Sequence, residues 1–382
     1  MSKIFIILLL GYSVMIFAQQ SNGVKVTFNV KTKVLEKNEK VYIVGNSDEL
    51  GRWQPDQIVL EKKDNNTWSR TIEISKGTSC EYKFTLGSWE KEALNPDGTV
   101  PQNNILKISN DTAVNFTVDS WRSGVRKVEG KITGTVEYHR NMKGSEINPR
   151  DIIVWLPPDY QLDRSKRYPV LYMHDGQNII DPATSSFGVD WGADGTADSL
   201  IKAGKMQSII IVGIYNTKDR FAEYSYTDSG YAYMKFIAED LKPFIDKTYR
   251  TLPDRNNTAT MGSSMGGLIS LMLAWEYSDV FSKAACLSPA FKIRQLDYLP
   301  HIYAYKGKKK DIKLYIDNGG IALESELRPG IDEAIEALKG KGFKEGNDLE
   351  TFFDENAEHN ERAWAKRLYR PMLFLFGSKG IN

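Results

Sequence analysis

Cysteine and histidine are scarce in this chain, with two cysteines and four histidines among 382 residues. So few thiols and imidazoles exclude a disulfide-stabilised scaffold and a cysteine-rich zinc module. An excess of positive charge is missing as well, because 50 Lys and Arg residues face 49 Asp and Glu residues. Without a basic surface, the protein is not expected to bind nucleic acid. Cys80 and Cys286 lie in segments assigned below to different domains, and we expect both to be buried free thiols.

Beyond the first eighteen residues, no apolar run approaches the length of a membrane span. Lys3 precedes the apolar run from Ile4 to Phe17, and Ala18 is followed by polar residues. One positive charge, a short apolar segment and a small residue indicate a secretory signal peptide, residues 1–18, that is cleaved after Ala18. An uncleaved anchor is the alternative, but the run is shorter than the roughly 20 residues that a membrane span needs. We therefore expect a secreted or periplasmic protein with no membrane attachment after cleavage.

Aromatic residues are abundant, with 8 Trp and 19 Tyr. The length of 382 residues favours two domains, at roughly 100–200 residues each. From Val24 to about Arg122, short segments with alternating apolar and polar residues are separated by polar turns. This alternation predicts β-strands, and several short strands without a helix predict a β-sandwich over residues 19–122. The clearest alternating segments are residues 24–30, 40–44, 67–74, 81–85 and 113–118.

Four of the eight tryptophans fall in this first domain. An indole that is exposed at a turn offers a flat apolar face on which a sugar ring can stack. Trp68 lies inside an alternating strand, so we expect it to be part of the core. Trp53 follows Gly51-Arg52 and Trp89 follows Gly87-Ser88, so we expect both in turns, where they can contact carbohydrate.

Several motifs of this domain resemble the glucoamylase-type starch-binding module. They are Val41–Trp53 with its Leu-Gly-x-Trp turn, Asn66–Trp68, Cys80–Phe84, Trp89-Glu90 and Phe116–Arg122. The resemblance implies a glucan site formed by Trp53, Lys83 and Trp89. The loop that ends at Asn103-Asn104 is longer than in that family. The alternative is a sandwich that has lost sugar binding.

Residues 123–130 are polar and are predicted to be a linker, and the pattern changes beyond them. Continuous apolar runs there are typical of strands that are buried on both faces. Helical periodicity follows over residues 234–249, with a kink expected at Pro243, and again over 331–338, where Gly340 or Gly342 should end the helix. Alternating strands and helices predict an α/β domain with a mainly parallel sheet over residues 131–382. The predicted strands are Ile152–Leu156, Tyr168–Met173, Ser208–Gly213 and Ile312–Ile316.

The sequence Gly262-x-Ser264-x-Gly266 lies between a short predicted strand and an apolar helix. Glycines on both sides of a serine permit the sharp strand-to-helix turn that exposes the nucleophile of α/β-hydrolases. The backbone amide of Met265 at the start of the helix can hold a developing oxyanion. A second amide should come from the turn after the strand ending at Met173, and we assign it to Gln177.

A nucleophilic serine needs a histidine base, which follows it in the chain order of this fold. Only His301 and His359 follow Ser264. His301 lies in a mixed apolar segment, for which a structural role is expected. His359 lies in a polar loop before an amphipathic helix, and we identify it as the base. His174 is expected to hold its loop rather than to act as a base.

The acid of the triad should follow the strand Ile312–Ile316. Asp317, Glu324, Glu326 and Asp354 are all candidates. Asp317 adjoins the strand and can turn inward structurally, whereas a loop would allow Glu324 to reach the base. The sequence therefore favours Glu324 and leaves the others open.

Several linked motifs run through the second domain: Tyr172–Asn178, Phe187–Gly192, Val212–Asn216, Arg220–Tyr224, Met261–Gly267 and His359–Trp364. They resemble those of the esterase family that includes enterochelin, feruloyl and acetylxylan esterases. The resemblance implies a triad of Ser264, His359 and an acid after the late strand, which supports Glu324. It also suggests that Arg220 contacts substrate, although structural pairing with Glu223 is an equal alternative.

Together these features predict a secreted serine esterase that removes acyl groups from a polysaccharide or oligosaccharide. The alternatives are a siderophore trilactone esterase and a carbohydrate-binding protein whose hydrolase fold is inactive. No cofactor or metal is expected, because neither His-Glu-x-x-His nor Cys-x-x-Cys occurs.

Overall fold

The structure is a computed structural model that describes residues 23–96, 100–101, 103–122, 130–186, 188–293 and 296–378. The predicted signal peptide, and the predicted linker except for Gly130, lie outside the described residues. The chain divides into two compact units between residues 126 and 127. Among the described residues, no helix is both long and apolar enough to span a membrane.

The first unit is a β-sandwich, as the alternating sequence predicts. One sheet has the strand order β4-β5-β1-β9 and the other β3-β2-β6-β8, while β7 pairs with β10. Its strands are β1 Gly23–Thr32, β2 Tyr42–Gly45, β3 Ile58–Val59, β4 Glu61–Lys62, β5 Thr67–Ser75, β6 Ser79–Thr85, β7 Ala93–Leu94, β8 Asn104–Lys107, β9 Thr112–Val118 and β10 Ser120–Trp121.

Alternation explains the packing of this unit, because every second residue of β1 points into the core. Val26, Phe28 and Val30 are fully buried there. Opposite Val30 on β5 lies Trp68, which is also buried, as expected for a strand residue. Cys80 is buried on β6 and is not part of a disulfide.

The second unit contains an eight-stranded sheet with the order β11-β12-β14-β13-β15-β16-β19-β20. In this order the six strands from β14 to β20 run parallel, and β12 pairs antiparallel with both β11 and β14. Of the ten strands in the described part of this unit, β17 and β18 pair with each other outside the eight-stranded sheet. The strands are β11 Thr135–Met142, β12 Arg150–Leu156, β13 Val170–His174, β14 Ile210–Ile214, β15 Thr258–Ser263, β16 Lys283–Leu287, β17 Lys292–Ile293, β18 Leu296–Asp297, β19 Lys313–Gly319 and β20 Leu349–Asp354. The α-helices are α1 Ala193–Lys202, α2 Arg220–Glu223, α3 Asp228–Lys235, α4 Lys242–Thr248, α5 Met265–Glu276, α6 Leu299–Ala304, α7 Leu323–Gly340, α8 Glu361–Arg367 and α9 Tyr369–Phe376.

Both faces of this sheet are covered, which explains the continuous apolar runs in its strands. On β13, Val170 and Tyr172 belong to one hydrophobic cluster, whereas Leu171 and Met173 belong to another. Cys286 on β16 is buried and free, and burial raises the pKa of its thiol. The predicted α/β architecture is therefore confirmed.

Two helices differ from the sequence-based expectation. A π-helical segment, Phe236–Leu241, joins α3 to α4, and Pro243 lies in the first turn of α4. The helix that was expected over residues 331–338 begins at Leu323 and continues through Pro329 to Gly340. This early start places Glu324 on a helix, not in a loop.

Candidate active site

Ser264 occupies a strained turn between the end of β15 and the start of α5. Its φ of 56° and ψ of −122° are disfavoured for a residue with a side chain. The turn is held by main-chain hydrogen bonds, since Ser264 N donates to Leu287 O at 2.9 Å and Ser264 O accepts from Ala290 N at 3.0 Å. A Cβ atom on Gly262 would lie 2.5 Å from the backbone of Gly266. The glycine before the serine is therefore a packing requirement.

The two amides assigned to the oxyanion hole lie on neighbouring segments. Met265 is the first residue of α5, where amides lack an intrahelical partner. A Cβ atom on Gly266 would lie 3.5 Å from both Asp175 Oδ2 and His174 Cβ. The loop after β13 thus lies against the start of α5, and Gln177 occupies a 3-10 turn within this loop.

Asp175 anchors that loop, a role that the sequence motifs do not reveal. Its carboxylate accepts hydrogen bonds from Arg220 Nε and Nη2, both at 2.7 Å, and from Asn216 Nδ2 at 2.6 Å. Burial alone would raise the pKa of Asp175, but the Arg220 guanidinium more than offsets this and lowers the pKa below its ordinary value. Of the two alternatives for Arg220, the structural pairing with Glu223 is wrong, because Glu223 is bound by buried Arg150 at 2.6 Å.

His174 is a buried structural residue. Its Nδ1 lies 2.9 Å from the hydroxyl of Tyr233, and its Nε2 lies 3.2 Å from the hydroxyl of Thr260. Burial lowers the pKa of His174 to about 3, so the ring is neutral at physiological pH. Both nitrogens are engaged, which agrees with a role in holding the loop.

His359 and Glu324 form a hydrogen-bonded pair, with His359 Nδ1 lying 3.1 Å from Glu324 Oε1. The Glu324 side chain is fully buried, and its Oε2 accepts hydrogen bonds from Gly319 N at 2.8 Å and from Asn318 Nδ2. Burial raises the pKa of Glu324, but hydrogen bonds from His359 and its other neighbours outweigh burial and lower the pKa. The carboxylate is therefore ionised and can orient the imidazole.

The other candidate acids have different partners. Asp317 is buried and forms an ion pair with Arg367, whose Nε lies 2.9 Å from Asp317 Oδ2. Asp354 ends β20, and its carboxylate accepts a hydrogen bond from Asn356 N at 3.2 Å. Glu326 lies two residues after Glu324 on α7 and is half-buried. Of the four carboxylates, Glu324 is the one for which a hydrogen bond to His359 is found among the described residues.

The loop that carries His359 is fastened to the segment before Glu324. Ala357 O accepts hydrogen bonds from Gly320 N at 3.2 Å and from Ile321 N at 3.1 Å. A Cβ atom on Gly319 would lie 2.4 Å from Ala357 O and 2.8 Å from Glu324 Cγ. Glycine at this position allows the base and the acid to approach each other.

Glu361 is a buried acid whose pKa is affected by charged groups of the site. It is buried at the start of α8, and burial raises its pKa to about 7. Smaller contributions come from Asp175, His359 and Arg220.

Direct contacts place the base near the turn of Ser264, because the Trp364 ring lies 5.0 Å from the His359 ring and its Nε1 donates to Ser288 Oγ at 3.1 Å. Leu287, next to Ser288, accepts the hydrogen bond from Ser264 N. His301 lies on α6, where its ring packs against the rings of Tyr226 and Tyr298. This packing agrees with the structural role expected for it.

The tryptophans proposed to contact sugar lie together in the first unit. The rings of Trp53 and Trp89 are 6.3 Å apart at an angle of 36°, and both are half-buried. Trp53 follows Gly51 and Arg52 in a turn where all three residues have positive φ. The Lys83 ammonium is buried and lies 3.2 Å from the carboxylate of Glu92, so it is much less accessible than the two indoles.

No group of three or more His, Cys, Asp or Glu side chains with the arrangement of a metal site occurs within the described parts of the chain. Asp175, Asn318 and Ser288 support the site through hydrogen bonds, but the sequence motifs do not single them out. Asp175 and Asn318 follow the apolar runs of β13 and β19, and Ser288 follows β16. A polar residue at the carboxyl end of a parallel strand is the signal that could have identified them.

Comparison with known proteins yields a separate match for each unit. The family model "Putative esterase" matches residues 146–374, and the family model of the starch-binding domain matches residues 23–117. An endo-1,4-beta-xylanase/feruloyl esterase of Xylanibacter ruminicola is 28% identical over 335 residues, which are 83% of this chain and 41% of that protein. The chain thus spans less than half the length of that relative. An amylopullulanase of Thermoanaerobacter thermohydrosulfuricus is 35% identical over 103 residues, 26% of this chain and 7% of that protein.

Solved structures share the fold. A ferulic acid esterase superposes with a TM-score of 0.53 at 22% identity, covering 63% of this chain and 97% of that one. The enterobactin esterase of Shigella flexneri superposes with a TM-score of 0.54 at 12% identity, covering 92% of both chains.

Proposed function

The chain belongs to the esterase family, and from this premise we propose that it is a serine carboxylic-ester hydrolase that removes acyl groups from a carbohydrate. Ser264 is the proposed nucleophile, His359 the base and Glu324 the acid. The starch-binding domain of the first unit supports a glucan or an acylated glycan as the partner of the enzyme. Export by the predicted signal peptide, which would bring the enzyme to such polymers, is part of the same proposal.

The proposed reaction follows from the protonation states at the site. His359 Nδ1 donates its proton to the ionised Glu324, which leaves Nε2 as the base. Nε2 takes the proton of Ser264 Oγ as this oxygen attacks the acyl carbonyl, and the proton then passes to the departing alkoxide. The amides of Met265 and Gln177 stabilise the negative oxygen of the tetrahedral intermediate. Water repeats the sequence on the acyl-enzyme and releases the acid.

The observation that carries the proposal is the pairing of His359 with Glu324. A histidine whose Nδ1 is held by a buried carboxylate is fixed in the tautomer that a general base requires. The backbone strain at Ser264 supports the same assignment, because strained residues cluster at functional sites.

The first test is hydrolysis of p-nitrophenyl acetate by Ser264→Ala. We expect kcat to fall by about 10⁴-fold or more, since the nucleophile is removed. Ser263→Ala, at the last position of β15, is the matched control and should retain activity. Glu324→Gln should lower kcat by about 10²-fold or more, whereas Glu326→Gln should not, because Glu324 makes the hydrogen bond to His359 Nδ1. Activity that survives Ser264→Ala would reject the proposed mechanism.

The second test is a substrate panel of acetylated xylan, feruloylated sugars and an iron-loaded siderophore trilactone. We expect higher kcat/KM for the carbohydrate esters than for the trilactone. Preference for the trilactone would replace the proposed substrate class but keep the serine chemistry. Failure of the wild-type protein to hydrolyse any ester, with glucan binding retained, would favour the carbohydrate-binding alternative.

A further inference from the structure

The Asp175 carboxylate lies close to both segments that carry the proposed oxyanion-hole amides. Asp175 belongs to the loop after β13, two residues before Gln177, and its φ of 56° is disfavoured for a residue with a side chain. A Cβ atom on Gly266, the residue after Met265, would lie 3.5 Å from Asp175 Oδ2. One carboxylate is therefore placed between the loop of Gln177 and the start of α5.

Two side chains of a single segment hold Asp175 in this strained conformation. The guanidinium of Arg220, at the start of α2, donates from Nε to Asp175 Oδ1 and from Nη2 to Oδ2, both at 2.7 Å. The hydroxyl of Tyr224, the residue after α2, accepts a hydrogen bond from Asp175 N at 3.2 Å. Because two parallel bonds from a guanidinium fix the plane of a carboxylate, Arg220 determines how the Asp175 side chain is oriented.

Asn216 extends this contact to Gln177. Its Nδ2 donates to Asp175 Oδ1 at 2.6 Å, and its main-chain N donates to Gln177 Oε1 at 3.2 Å. Between the two loop residues, a Cβ atom on Gly176 would lie 2.4 Å from Gly213 C, so the loop is packed directly against the backbone of β14. The main chain at Gln177 is thus held by β14 on one side and through Asp175 on the other.

We propose that the ion pair of Asp175 and Arg220 positions the Gln177 amide for the developing oxyanion, which makes both of them positioning residues for catalysis. This inference rests on the proposed esterase function. Oxyanion-hole donors stabilise the transition state because they are fixed before the negative charge develops. The Arg220 guanidinium has a second effect, because it neutralises a carboxylate near the start of α5 whose charge would oppose the oxyanion.

The test compares Asp175→Asn and Arg220→Met with the wild-type protein on p-nitrophenyl acetate and with an alkyl trifluoromethyl ketone as inhibitor. Ser264 Oγ adds to the ketone carbon, and the carbonyl oxygen becomes an oxyanion that needs the same amides as the transition state. We expect kcat to fall by about tenfold to 100-fold with little change in KM. The inhibition constant of the ketone should rise by a similar factor.

Two further variants test whether the residues act through one contact. Arg220→Lys keeps the positive charge but not the two parallel hydrogen bonds, so its loss should be smaller than that of Arg220→Met. Asp175→Asn/Arg220→Met should lose no more activity than the more damaging single variant. The Arg220 side chain is 31% exposed and that of Asp175 8%, so Arg220→Met is expected to fold even where Asp175→Asn does not.

Asp246→Asn is the matched control. Asp246 also forms an ion pair within the second unit, with Lys242 Nζ at 2.6 Å, and it accepts a hydrogen bond from Thr251 Oγ1 at 2.7 Å. The control should leave kcat and the inhibition constant unchanged even where it lowers stability, because Asp246 lies on α4 and not in the loop after β13.

An unchanged inhibition constant and kcat in folded Arg220→Met would overturn the positioning role. A rise in KM alone would also overturn it and would show that Arg220 contacts substrate instead. Failure of the esterase proposal is distinguishable from both results, because the wild-type protein would then be inactive or Ser264→Ala would remain active.

Discussion

Two buried glutamates near the base have opposite shifts in pKa. Glu324 receives hydrogen bonds from His359, Gly319 and Asn318, which more than offset burial and lower its pKa. For Glu361, burial predominates over a hydrogen bond from its own backbone and raises the pKa to about 7. The hydrogen-bond donors around each carboxylate, and not burial alone, therefore decide which acid is ionised near neutral pH.

The raised pKa of Glu361 predicts a specific dependence of stability on pH. Its pKa of about 7 in the folded state exceeds the ordinary value of 4.5. The contribution of Glu361 to stability is thus fully present below about pH 4.5 and is lost as the pH rises through about 7. Since glutamine cannot ionise, Glu361→Gln should be more stable than wild type at pH 8, by up to about 3 kcal/mol. At pH 4.5 the two proteins should be similar.

Calorimetry at pH 4.5, 6 and 8 can measure this effect. The quantity to compare is the Tm of the unfolding transition that the substitution alters, in Glu361→Gln and in wild type. Glu355→Gln is the control, because Glu355 is exposed in the same region of the chain. Its effect on Tm should be small and independent of pH. A Tm difference between Glu361→Gln and wild type that does not grow with pH would contradict the buried, protonated state of Glu361.

The junction between β19 and the loop of His359 determines the distance between acid and base. Gly319→Ala would place a methyl group 2.4 Å from Ala357 O and 2.8 Å from Glu324 Cγ. We expect the loop to be displaced, with a loss of about 1–3 kcal/mol in the free energy of unfolding. A displacement of about 1 Å at a catalytic group can lower kcat by about 100-fold, and we expect an effect of this order.

Gly340→Ala is the matched control for this substitution. Gly340 is the last residue of α7, and an added Cβ atom would have no atom within 4 Å. Alanine there should keep full activity and maintain or slightly increase stability. Urea unfolding and steady-state kinetics test both variants, and wild-type kcat in Gly319→Ala would show that the close approach of the loop is not needed.

The contrast between Ser264 and Glu324 shows what could be predicted from the sequence. The turn at Ser264 has a local signature, because glycines flank the serine between an apolar strand and an apolar helix. The start of α7 has no such signature. Ala322 before it offers no side-chain cap, and Pro329 and Gly330 suggest that a helix begins only after them. Glu324 hydrogen-bonds His359, as a triad acid would, but it lies on a helix and not in the loop that the sequence predicts.

Other parts of the structure depend on contacts between distant residues. Arg220 binds Asp175, which precedes it by 45 residues, while Glu223 nearby in the sequence binds Arg150 instead. The edge strand β20 has only one fully buried residue, Leu349, so it lacks the apolar run that identified the central strands. Hydrophobic periodicity detects buried faces, but it cannot assign partners to charged side chains.

The two units have separate hydrophobic cores and match different families. The buried core of the first unit is formed by residues between Val24 and Val118, and the two clusters of the second unit begin at Ile152 and Ile153. Substitutions on the surface of one unit should therefore leave folding of the other intact. Glucan binding and ester hydrolysis can accordingly be measured as independent properties of the intact protein.

Replacing Trp53 and Trp89 with alanine tests this independence. The two half-buried rings lie 6.3 Å apart, which suits stacking against a chain of sugar rings. We expect Trp53→Ala/Trp89→Ala to lose retardation by amylose in affinity electrophoresis, because each stacking contact contributes to binding. Its kcat/KM on p-nitrophenyl acetate should equal that of wild type. Activity on an insoluble acylated polysaccharide should fall if the first unit brings the enzyme to its substrate.

Trp121→Phe is the control for this pair, because Trp121 belongs to the same unit and its Nε1 donates to Thr32 Oγ1 at 2.7 Å. Trp121→Phe should lose this one hydrogen bond but should still be retarded by amylose. Unchanged retardation of the double variant would place the glucan site elsewhere or show that the unit no longer binds glucan. A fall in p-nitrophenyl acetate hydrolysis by a double variant that remains folded would instead mean that the ester site depends on the first unit, contrary to the separation of their cores.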